Sequence, residues 1–432
     1  MSAASSSPNT SIPDVIQADV IQYLRSPLAI RERCSQLFNL ALVGDLEHFS
    51  CHLDQLDETA QYVIQVTQHA YPDAKIPFHS RWRHFEVGTA SRMAAFQNAI
   101  QPYSPPEQAR IKIDLAVVSV LLDAGAGKDW SYREPDTDGV WSRSEGLAIA
   151  SFHMFCNGAF SSDPDHPLRV DAEKLRSLTL DDLAAGFQVS RDNPLVGLDG
   201  RLHLLHHLGD ALLQSPQIFQ PGEIREPDQP SVARPGYLLD YLVAHHPTHT
   251  LPAEAVLSAV LEGFSSIWPG RVILEGVNLG DVWPHPALPK TSPGSHLVPF
   301  HKLSQWLTYS LLEPLAEGGL TINDLDSLTG LPEYRNGGLF IDFGVLQPKH
   351  EAVTQQTHSP ESSVIVEWRS LTVILLDRLA ERIRQKLTLT AEQLPLACVL
   401  QGGSWSAGRK IAAERRPGGV PPIQISSDGT VF

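Results

Sequence analysis

The feature that most constrains the fold is the spacing of apolar residues, which has a helical period through much of the chain. The strongest example runs from Val364 to Lys386. Apolar residues at i, i+3, i+4 and i+7 form one face of a helix, whereas a half-buried strand alternates apolar and polar residues. The sequence therefore predicts a mainly α-helical protein. Further helices are predicted at 34–42, 107–124, 142–155, 178–187, 237–244 and 252–267.

Strand signals are few by comparison. The better ones are Arg271–Leu274 and Leu339–Phe343, with Ile423–Ser426 as a further candidate. Short runs rich in β-branched and aromatic residues favour strands. With so few of them, we expect one compact body of many helices with a few short strands.

Proline content suggests how the chain is organised. We predict a disordered tail at 1–14, an N-terminal helical part at 15–215 and a C-terminal helical part at 236–432. Between the two parts, 216–235 contains five prolines and is predicted to be a linker or loop, because proline cannot continue a helix. Both parts are expected to pack as one unit.

Charge and cysteine content exclude several classes of protein. The net charge of −16 argues against a nucleic-acid or anionic-membrane surface, since phosphate groups are bound by clustered Lys and Arg. The four cysteines are too few and too scattered for a disulfide framework. No apolar run of 18 residues occurs, and the Ser-rich start lacks the apolar core of a signal peptide. We expect a cytoplasmic protein with a small-molecule ligand.

Three polar clusters lie within apolar surroundings between Pro299 and Arg369. They are Pro-Phe-His-Lys-Leu-Ser-Gln (299–305), Pro-Glu-Tyr-Arg-Asn-Gly-Gly (332–338) and Glu-Trp-Arg (367–369). Burying such charges is unfavourable unless each meets a partner or a ligand. Three such clusters in about seventy residues predict the wall of a pocket.

Several longer motifs resemble those of the uracil catabolism protein 4 family, and the resemblance covers most of the chain. This resemblance implies a role in a route that opens the ring of a ribosylated uracil and leaves urea attached to ribose. Other enzymes of that route are then candidate partners. The motifs are Phe-His-Ser-Arg-Trp-Arg-His-Phe (78–85), Leu-Leu-Asp-Ala-Gly-Ala-Gly (121–127), Arg-Ser-Glu-Gly-Leu-Ala (143–148), Arg-Pro-Gly-Tyr-Leu-Leu-Asp-Tyr-Leu (234–242) and Glu-Tyr-Arg-Asn-Gly-Gly-Leu-Phe-Ile-Asp (333–342).

A more distant resemblance concerns the chemistry. The order Phe-His-Lys-x-x-Gln, Leu-Thr-x-x-x-Glu-Tyr-Arg, Gly-Val-Leu and Glu-Trp-Arg is similar to the pattern of the queuosine-salvage N-glycosylases. Those enzymes hydrolyse a base–ribose bond and have a helical fold related to DNA glycosylases. The resemblance implies a glycosylase-like helical core and hydrolysis of ribosylurea, or of its 5′-phosphate, to urea and the sugar.

The first polar cluster opens a predicted helix whose two faces differ. Lys302, Gln305, Trp306 and Tyr309 share a face at i, i+3, i+4 and i+7. By itself this pattern also fits a solvated lysine beside aromatic residues. The resemblance to the glycosylases favours Lys302 and Gln305 as substrate-binding residues.

Glu333 occupies the position where those glycosylases have an aspartate, which makes it the leading catalytic candidate. Breaking a ribosyl C–N bond builds positive charge on the anomeric carbon, and a nearby carboxylate stabilises that charge and activates water. Asp342, an acid inside an apolar run, is a second candidate; otherwise it is a helix cap or buried acid. Tyr334 and Arg335 are candidates for orienting Glu333 or binding hydroxyl or phosphate groups.

The remaining candidates combine cations with aromatic or acidic neighbours. Guanidinium groups suit phosphate or carboxylate, and a tryptophan stacks on planar groups, although ion pairs and core packing explain such motifs equally well. The predicted substrate-binding residues of this kind are Arg81, Trp82, Arg83, Arg143, Glu145, Glu367 and Arg369.

No metal ion or cofactor is expected. His203, His206 and His207 include an i, i+4 pair, but the glutamate of a zincin is absent. Two other classes of function remain open. One is a non-catalytic scaffold for the ring-opening enzyme. The other is a phosphoribosyl-transferring enzyme, although the acidic phosphoribosyl-pyrophosphate loop of such enzymes is missing.

Overall fold

The computed structural model describes residues 19–88, 91–123, 125–135, 137–221, 232–268 and 271–426. Helices dominate these ranges and are numbered here in chain order. They are α1 Pro27–Val43, α2 Leu56–Ala70, α3 Arg81–Phe85, α4 Arg92–Ile100, α5 Pro105–Leu121, α6 Arg143–Cys156, α7 Ala172–Ser177, α8 Leu180–Gly186, α9 Leu198–Gln214, α10 Pro216–Phe219, α11 Leu238–His245, α12 Ala253–Phe264, α13 Lys302–Glu317, α14 Tyr334–Asp342, α15 Ala352–Gln355, α16 Ser363–Leu387, α17 Leu396–Val399 and α18 Trp405–Arg415.

The strands are two or three residues long and, within the described ranges, pair only two at a time. The pair β4–β9 and the pair β11–β12 are parallel and the others are antiparallel. The prediction of a mainly α-helical protein with a few short strands is confirmed. The strands are β1 Phe49–Cys51, β2 Tyr132–Arg133, β3 Val140–Trp141, β4 Thr250–Pro252, β5 Ile273–Leu274, β6 Val277–Asn278, β7 Val282–Pro284, β8 Leu297–Pro299, β9 Thr321–Asn323, β10 Leu346–Pro348, β11 Thr357–His358 and β12 Gln424–Ile425.

Capping residues and apolar faces stabilise the predicted helices. At the start of α8, Thr179 and Asp182 form a reciprocal capping box, which satisfies backbone N–H groups that have no partner inside the helix. At the start of α1, the Ser26 side chain accepts a hydrogen bond from the Ala29 N–H. The longest helix, α16, is buried through most of its first half, as its apolar pattern indicated.

One strand prediction was wrong. Leu339–Phe343 belongs to α14 and the turn after it. A short apolar run fits a buried helix as well as a strand, and here the N-cap decides the outcome. Gly337 lies where a Cβ would be 2.7 Å from the Trp368 ring, so α14 and α16 can pack closely only with glycine at this position. Of the other two predicted strands, only the two-residue cores β5 and β12 form.

One large hydrophobic core contains residues from both sides of 222–231. Extensive helix contacts within it include α13 with α5, α14 with α18 and α16 with α1. These packings bring the three polar clusters and the 78–85 motif to one region. The predicted tail at 1–14 and half of the predicted linker, 222–231, lie outside the described residues. No helix within those residues is both long and apolar enough to span a membrane.

Candidate functional site

The N-terminus of α13 places Lys302 at the centre of the site. The Lys302 backbone N–H donates to Oδ2 of Asp281 at 3.0 Å, and Arg369 from α16 donates to both oxygens of Asp281 at 2.7 Å. The Arg369 guanidinium also lies 4.0 Å from the centre of the Phe300 ring. The first and third polar clusters therefore meet through Asp281, which orients the start of α13.

The surroundings of Lys302 lower the pKa of its side chain. Burial lowers the pKa of its ammonium group, and the nearby Arg369 adds to this, while Glu333, Asp281 and Asp123 oppose it. The net direction is downward. A lysine in this environment gives up a proton more readily than one in water, which suits it to acid–base chemistry.

Glu333 is the N-cap of α14. Its Oε1 accepts a hydrogen bond from the Asn336 N–H at 2.5 Å, and its Oε2 accepts one from the Arg335 N–H at 2.7 Å. Each carboxylate oxygen can accept a second hydrogen bond, so the group remains able to bind a ligand. Burial raises the pKa of Glu333, although the two backbone donors and Lys302 partly counteract this effect.

Gln305 and Tyr309 fix the segment that leads to Glu333. The Gln305 Oε1 accepts from the Thr329 N–H at 2.8 Å, and the Tyr309 hydroxyl donates to the Thr329 carbonyl at 3.0 Å. Both side chains are fully buried. The predicted polar face of α13 therefore divides: Lys302 and Trp306 face the site, whereas Gln305 is buried against Thr329 and positions that backbone. Substrate binding by Gln305 stays a prediction.

A second carboxylate, Asp123, follows α5. Its Oδ2 lies 2.8 Å from Nη1 of Arg81, and its Oδ1 accepts a hydrogen bond from the Ser144 hydroxyl at 2.6 Å. Burial raises the pKa of Asp123, while Arg81, Ser144 and Lys302 act in the opposite direction. Arg81 is thus part of the site, but its charge is paired with Asp123.

Four aromatic rings pack together beside these charges. His79 lies 4.7 Å from Trp306 and 6.3 Å from Trp405, and His84 lies 5.7 Å and 6.0 Å from the same two rings. Burial lowers the pKa of His79 to about 4 and that of His84 to about 3, so both imidazoles are neutral at physiological pH. We call this group, His79, His84, Trp306 and Trp405, the aromatic floor.

Four further predicted residues lie at the edge of the site. Tyr334 is 36% exposed, and the guanidinium of Arg335 lies 4.8 Å from the centre of its ring. Burial raises the pKa of Tyr334, and the charges of Arg335 and Arg143 oppose that shift, which places Arg143 nearby. Glu145 forms an ion pair with Arg409 of α18. Arg335 also donates to the Gly419 carbonyl at 2.8 Å.

Comparisons with known proteins show the family to which the chain belongs. Residues 23–432 match the family described as "Protein of unknown function (DUF1688)". The chain belongs to this family. It is 40% identical to uracil catabolism protein 4 of Lachancea kluyveri, over 95% of this chain and 99% of that protein. It is 38% identical to protein urg3 of Schizosaccharomyces pombe, over 96% of this chain and all of that protein.

Not every residue predicted for the site of this DUF1688 protein reaches it. Trp82 is buried and donates to the Ser310 carbonyl at 2.8 Å. Arg83 pairs with Glu313 at 3.0 Å and with Glu86 at 3.3 Å. Glu313 lies eleven residues along α13 from Lys302, about 16 Å away at 1.5 Å per residue. The expected patch of Arg81, Arg83 and Lys302 does not form, because alternate residues of α3 point in different directions.

Asp342 and Glu367 have structural partners instead. Both oxygens of Asp342 bind the guanidinium of Arg416, at 2.5 and 2.6 Å. The Oε2 of Glu367 accepts a hydrogen bond from the His48 N–H at 3.0 Å, and its Oε1 lies 3.5 Å from Nε2 of His285. A catalytic Asp342 and a substrate-binding Glu367 stay untested predictions.

Sequence reasoning missed several members of the site. Asp123 was not singled out, although it lies in the motif Leu-Leu-Asp-Ala-Gly-Ala-Gly (121–127). His79 and His84 bracket the Arg-Trp-Arg segment and were overlooked beside its stronger charges. Trp405 follows a π-helical segment, Leu400–Ser404, that no pattern indicated. Such segments often occur at functional sites. Within the described residues, no group of three or more His, Cys, Asp or Glu side chains is placed to hold a metal ion.

Proposed function

We propose that this protein acts in uracil degradation and hydrolyses the N-glycosidic bond of ribosylurea, free or as the 5′-phosphate, to urea and the sugar. The role in uracil degradation follows from the relatives, one of which is named for uracil catabolism and is similar over nearly its whole length. The hydrolytic step is the finer part of the proposal. It draws on the motif order of the N-glycosylases and on the chemistry available around Lys302.

The observation that supports the reaction best is that two carboxylates, Glu333 and Asp123, both act electrostatically on Lys302. Its ammonium group lies close enough to Glu333 and Asp123 for both charges to affect its pKa. Glycosidic cleavage requires a carboxylate beside the anomeric carbon and a proton donor beside the leaving group. Lys302, the first residue of α13, and Glu333, the N-cap of α14, supply these two groups.

In the proposed step, the C1′–N bond breaks and its electron pair moves to the ureido nitrogen. Glu333 stabilises the positive charge that remains on the sugar ring. Water attacks C1′ and gives one proton to Glu333, while Lys302 gives one proton to the departing nitrogen. Proton return from Glu333 to Lys302 through solvent restores both groups. We assign Asp123, which lies beside Arg81 and Ser144, to binding a sugar hydroxyl.

The deciding experiment incubates purified protein with ribosylurea and, separately, with ribosylurea 5′-phosphate, and measures released urea. We expect urea from at least one of the two, and a Lys302→Met variant should lose most of that activity while folding normally. The same change at an exposed lysine whose side chain makes no hydrogen bond in the described residues, Lys75→Met, is the matched control. If wild-type protein releases no urea from either compound, the hydrolase proposal is wrong and the scaffold role becomes the better explanation.

A further inference from the structure

Two ring nitrogens of the aromatic floor keep unused hydrogen-bonding capacity. Within the described residues, Nε2 of His79 and Nε2 of His84 have no hydrogen-bond partner, and both atoms retain some accessible surface. The histidines that carry these two nitrogens are more than nine-tenths buried: His79 is 5% exposed and His84 is 9% exposed. A buried polar atom that faces open space is suited to meeting a ligand.

The proton positions on the two rings follow from their neighbours. Nδ1 of His84 lies 3.1 Å from Nη1 of Arg81. A guanidinium can only donate, so Nδ1 accepts and Nε2 of neutral His84 bears the hydrogen. Nδ1 of His79 lies 2.8 Å from Oε1 of Gln401, whose Nε2 donates to the Tyr71 hydroxyl. The amide oxygen can only accept, so Nδ1 of His79 donates and its Nε2 is an acceptor.

The aromatic floor therefore presents one donor and one acceptor beside two tryptophan rings. A ureido group has the complementary pair, since its carbonyl accepts and its N–H groups donate, and it is planar, as stacking on an indole requires. The charge of Asp123 affects both His79 and Lys302, which connects the aromatic floor to the catalytic groups.

We infer that His84 and His79 form the subsite for the ureido group, with His84 donating to its carbonyl oxygen and His79 accepting from its N–H. This inference rests on the proposed function for the identity of the sugar, but the subsite itself is defined by the two rings. Gln401 and Tyr71 are positioning residues that hold the acceptor nitrogen of His79 toward the ligand.

The subsite also acts in the reaction. When the C1′–N bond breaks, the electron pair that moves to the nitrogen is shared with the carbonyl oxygen of the ureido group. A hydrogen bond donated to that oxygen becomes stronger as negative charge develops on it. This is the behaviour expected of a group that stabilises a transition state. His84 thus assists departure of urea, and Lys302 then supplies the proton.

The test uses two small probes, methylurea for the ureido subsite and ribose for the sugar site, followed by ligand-observed NMR. The variants His79→Phe and His84→Phe keep a ring in the aromatic floor and remove the nitrogens. We expect each to weaken methylurea binding about three- to tenfold, as for loss of one hydrogen bond, and to leave ribose binding unchanged. His203→Gln, at an exposed histidine of α9, is the matched control and should bind both probes normally.

Three results would overturn the inference: wild-type protein that does not bind methylurea, methylurea affinity unchanged in both variants, or an equal loss of methylurea and ribose binding. Thermal unfolding checks that the variants fold, and Gln401→Leu provides a second route if either phenylalanine variant unfolds. In Gln401→Leu the His79 ring remains but is no longer held, so methylurea binding should again weaken. Failure of the proposed function gives a different pattern, in which methylurea binds through the two histidines but ribosylurea releases no urea.

Discussion

The two ends of α14 have similar chemical groups in opposite environments. At the N-terminus, Glu333 accepts hydrogen bonds from two backbone N–H groups, lies near Lys302 and remains partly accessible. At the last residue, Asp342 is 6% exposed and both of its oxygens bind one guanidinium, that of Arg416. The charge of Asp342 is therefore compensated by a bidentate ion pair, whereas Glu333 is held by uncharged backbone donors and lies near a cation.

This difference shows how a catalytic carboxylate is distinguished from a structural one. Both residues looked suitable because each is an acid among apolar neighbours. Only the partners separate them, and the partner of Asp342 lies 74 residues further along the chain. The predictions below test whether the two ends of α14 differ in function as they do in geometry.

The largest expected effect is on catalysis at Glu333. Glu333→Gln keeps the shape of the side chain and can still accept from one backbone N–H, but it loses the charge that stabilises the sugar cation. We expect the rate of urea release from ribosylurea to fall about 10²–10³-fold, with a much smaller change in substrate binding. Glu333→Asp should be partly active at best, because its carboxylate is retracted by one methylene. A Glu333→Gln protein that folds normally and works at the wild-type rate would make Glu333 purely structural.

The second effect is on stability at Asp342. Asp342→Asn leaves the Arg416 guanidinium without its ion-pair partner, and we expect the free energy of unfolding to fall by about 2 kcal/mol, less than for a fully buried pair because Arg416 reaches solvent. Guanidinium chloride is the suitable denaturant, because urea is the predicted product. The rate of urea release should change little. If this variant lost as much rate as Glu333→Gln, Asp342 would be a catalytic residue.

The third expectation is a pH dependence that belongs to Glu333. Burial raises the pKa of Glu333, so its ionised, active form is lost as the pH falls through a value above the usual glutamate pKa of about 4.3. The profile of kcat/KM should therefore decline on the acid side above pH ~4.3. The residual activity of Glu333→Gln should lack this decline. If the decline persists unchanged, it belongs to another group, and Asp123, whose pKa burial also raises, is the first candidate.

The smallest effect concerns the residues that orient Glu333. Tyr309→Phe removes one hydrogen bond, from the Tyr309 hydroxyl to the Thr329 carbonyl, and leaves the ring in the core. We expect a loss of about 1 kcal/mol in the free energy of unfolding and a decrease of a few-fold in kcat, with little change in KM. A variant with normal stability and rate would show that Gln305 alone is enough to hold the Thr329 segment.

Periodicity was sufficient to predict several of the longer helices, and it failed where tertiary partners decide the outcome. The run from Val364 to Lys386 shows its pattern within one segment, and α16 forms there. The segment Leu339–Phe343 shows no helical pattern of its own, because its helix depends on the cap at Glu333 and on packing against Trp368.

The same limit applies to the site. The motifs drew attention to Lys302, Glu333 and Arg81, but they could not show that Asp123 pairs with Arg81 or that Gln305 bonds to Thr329. Those facts depend on how α3, α5 and α13 pack, and no single segment encodes them. Residues such as His79 and Trp405 become recognisable only when the rings that surround them are known.

The π-helical segment Leu400–Ser404 has a consequence for how the site can change over evolutionary time. It joins α17 to α18 with one residue more per turn than a regular helix would use. Gln401 lies within the segment and Trp405 directly follows it. Deleting a single codon here would restore an ordinary helix, and Trp405 would turn by about 100° around the helix axis relative to Gln401. A single-codon deletion, which leaves every side chain of the aromatic floor in the sequence, would therefore be enough to dismantle the floor.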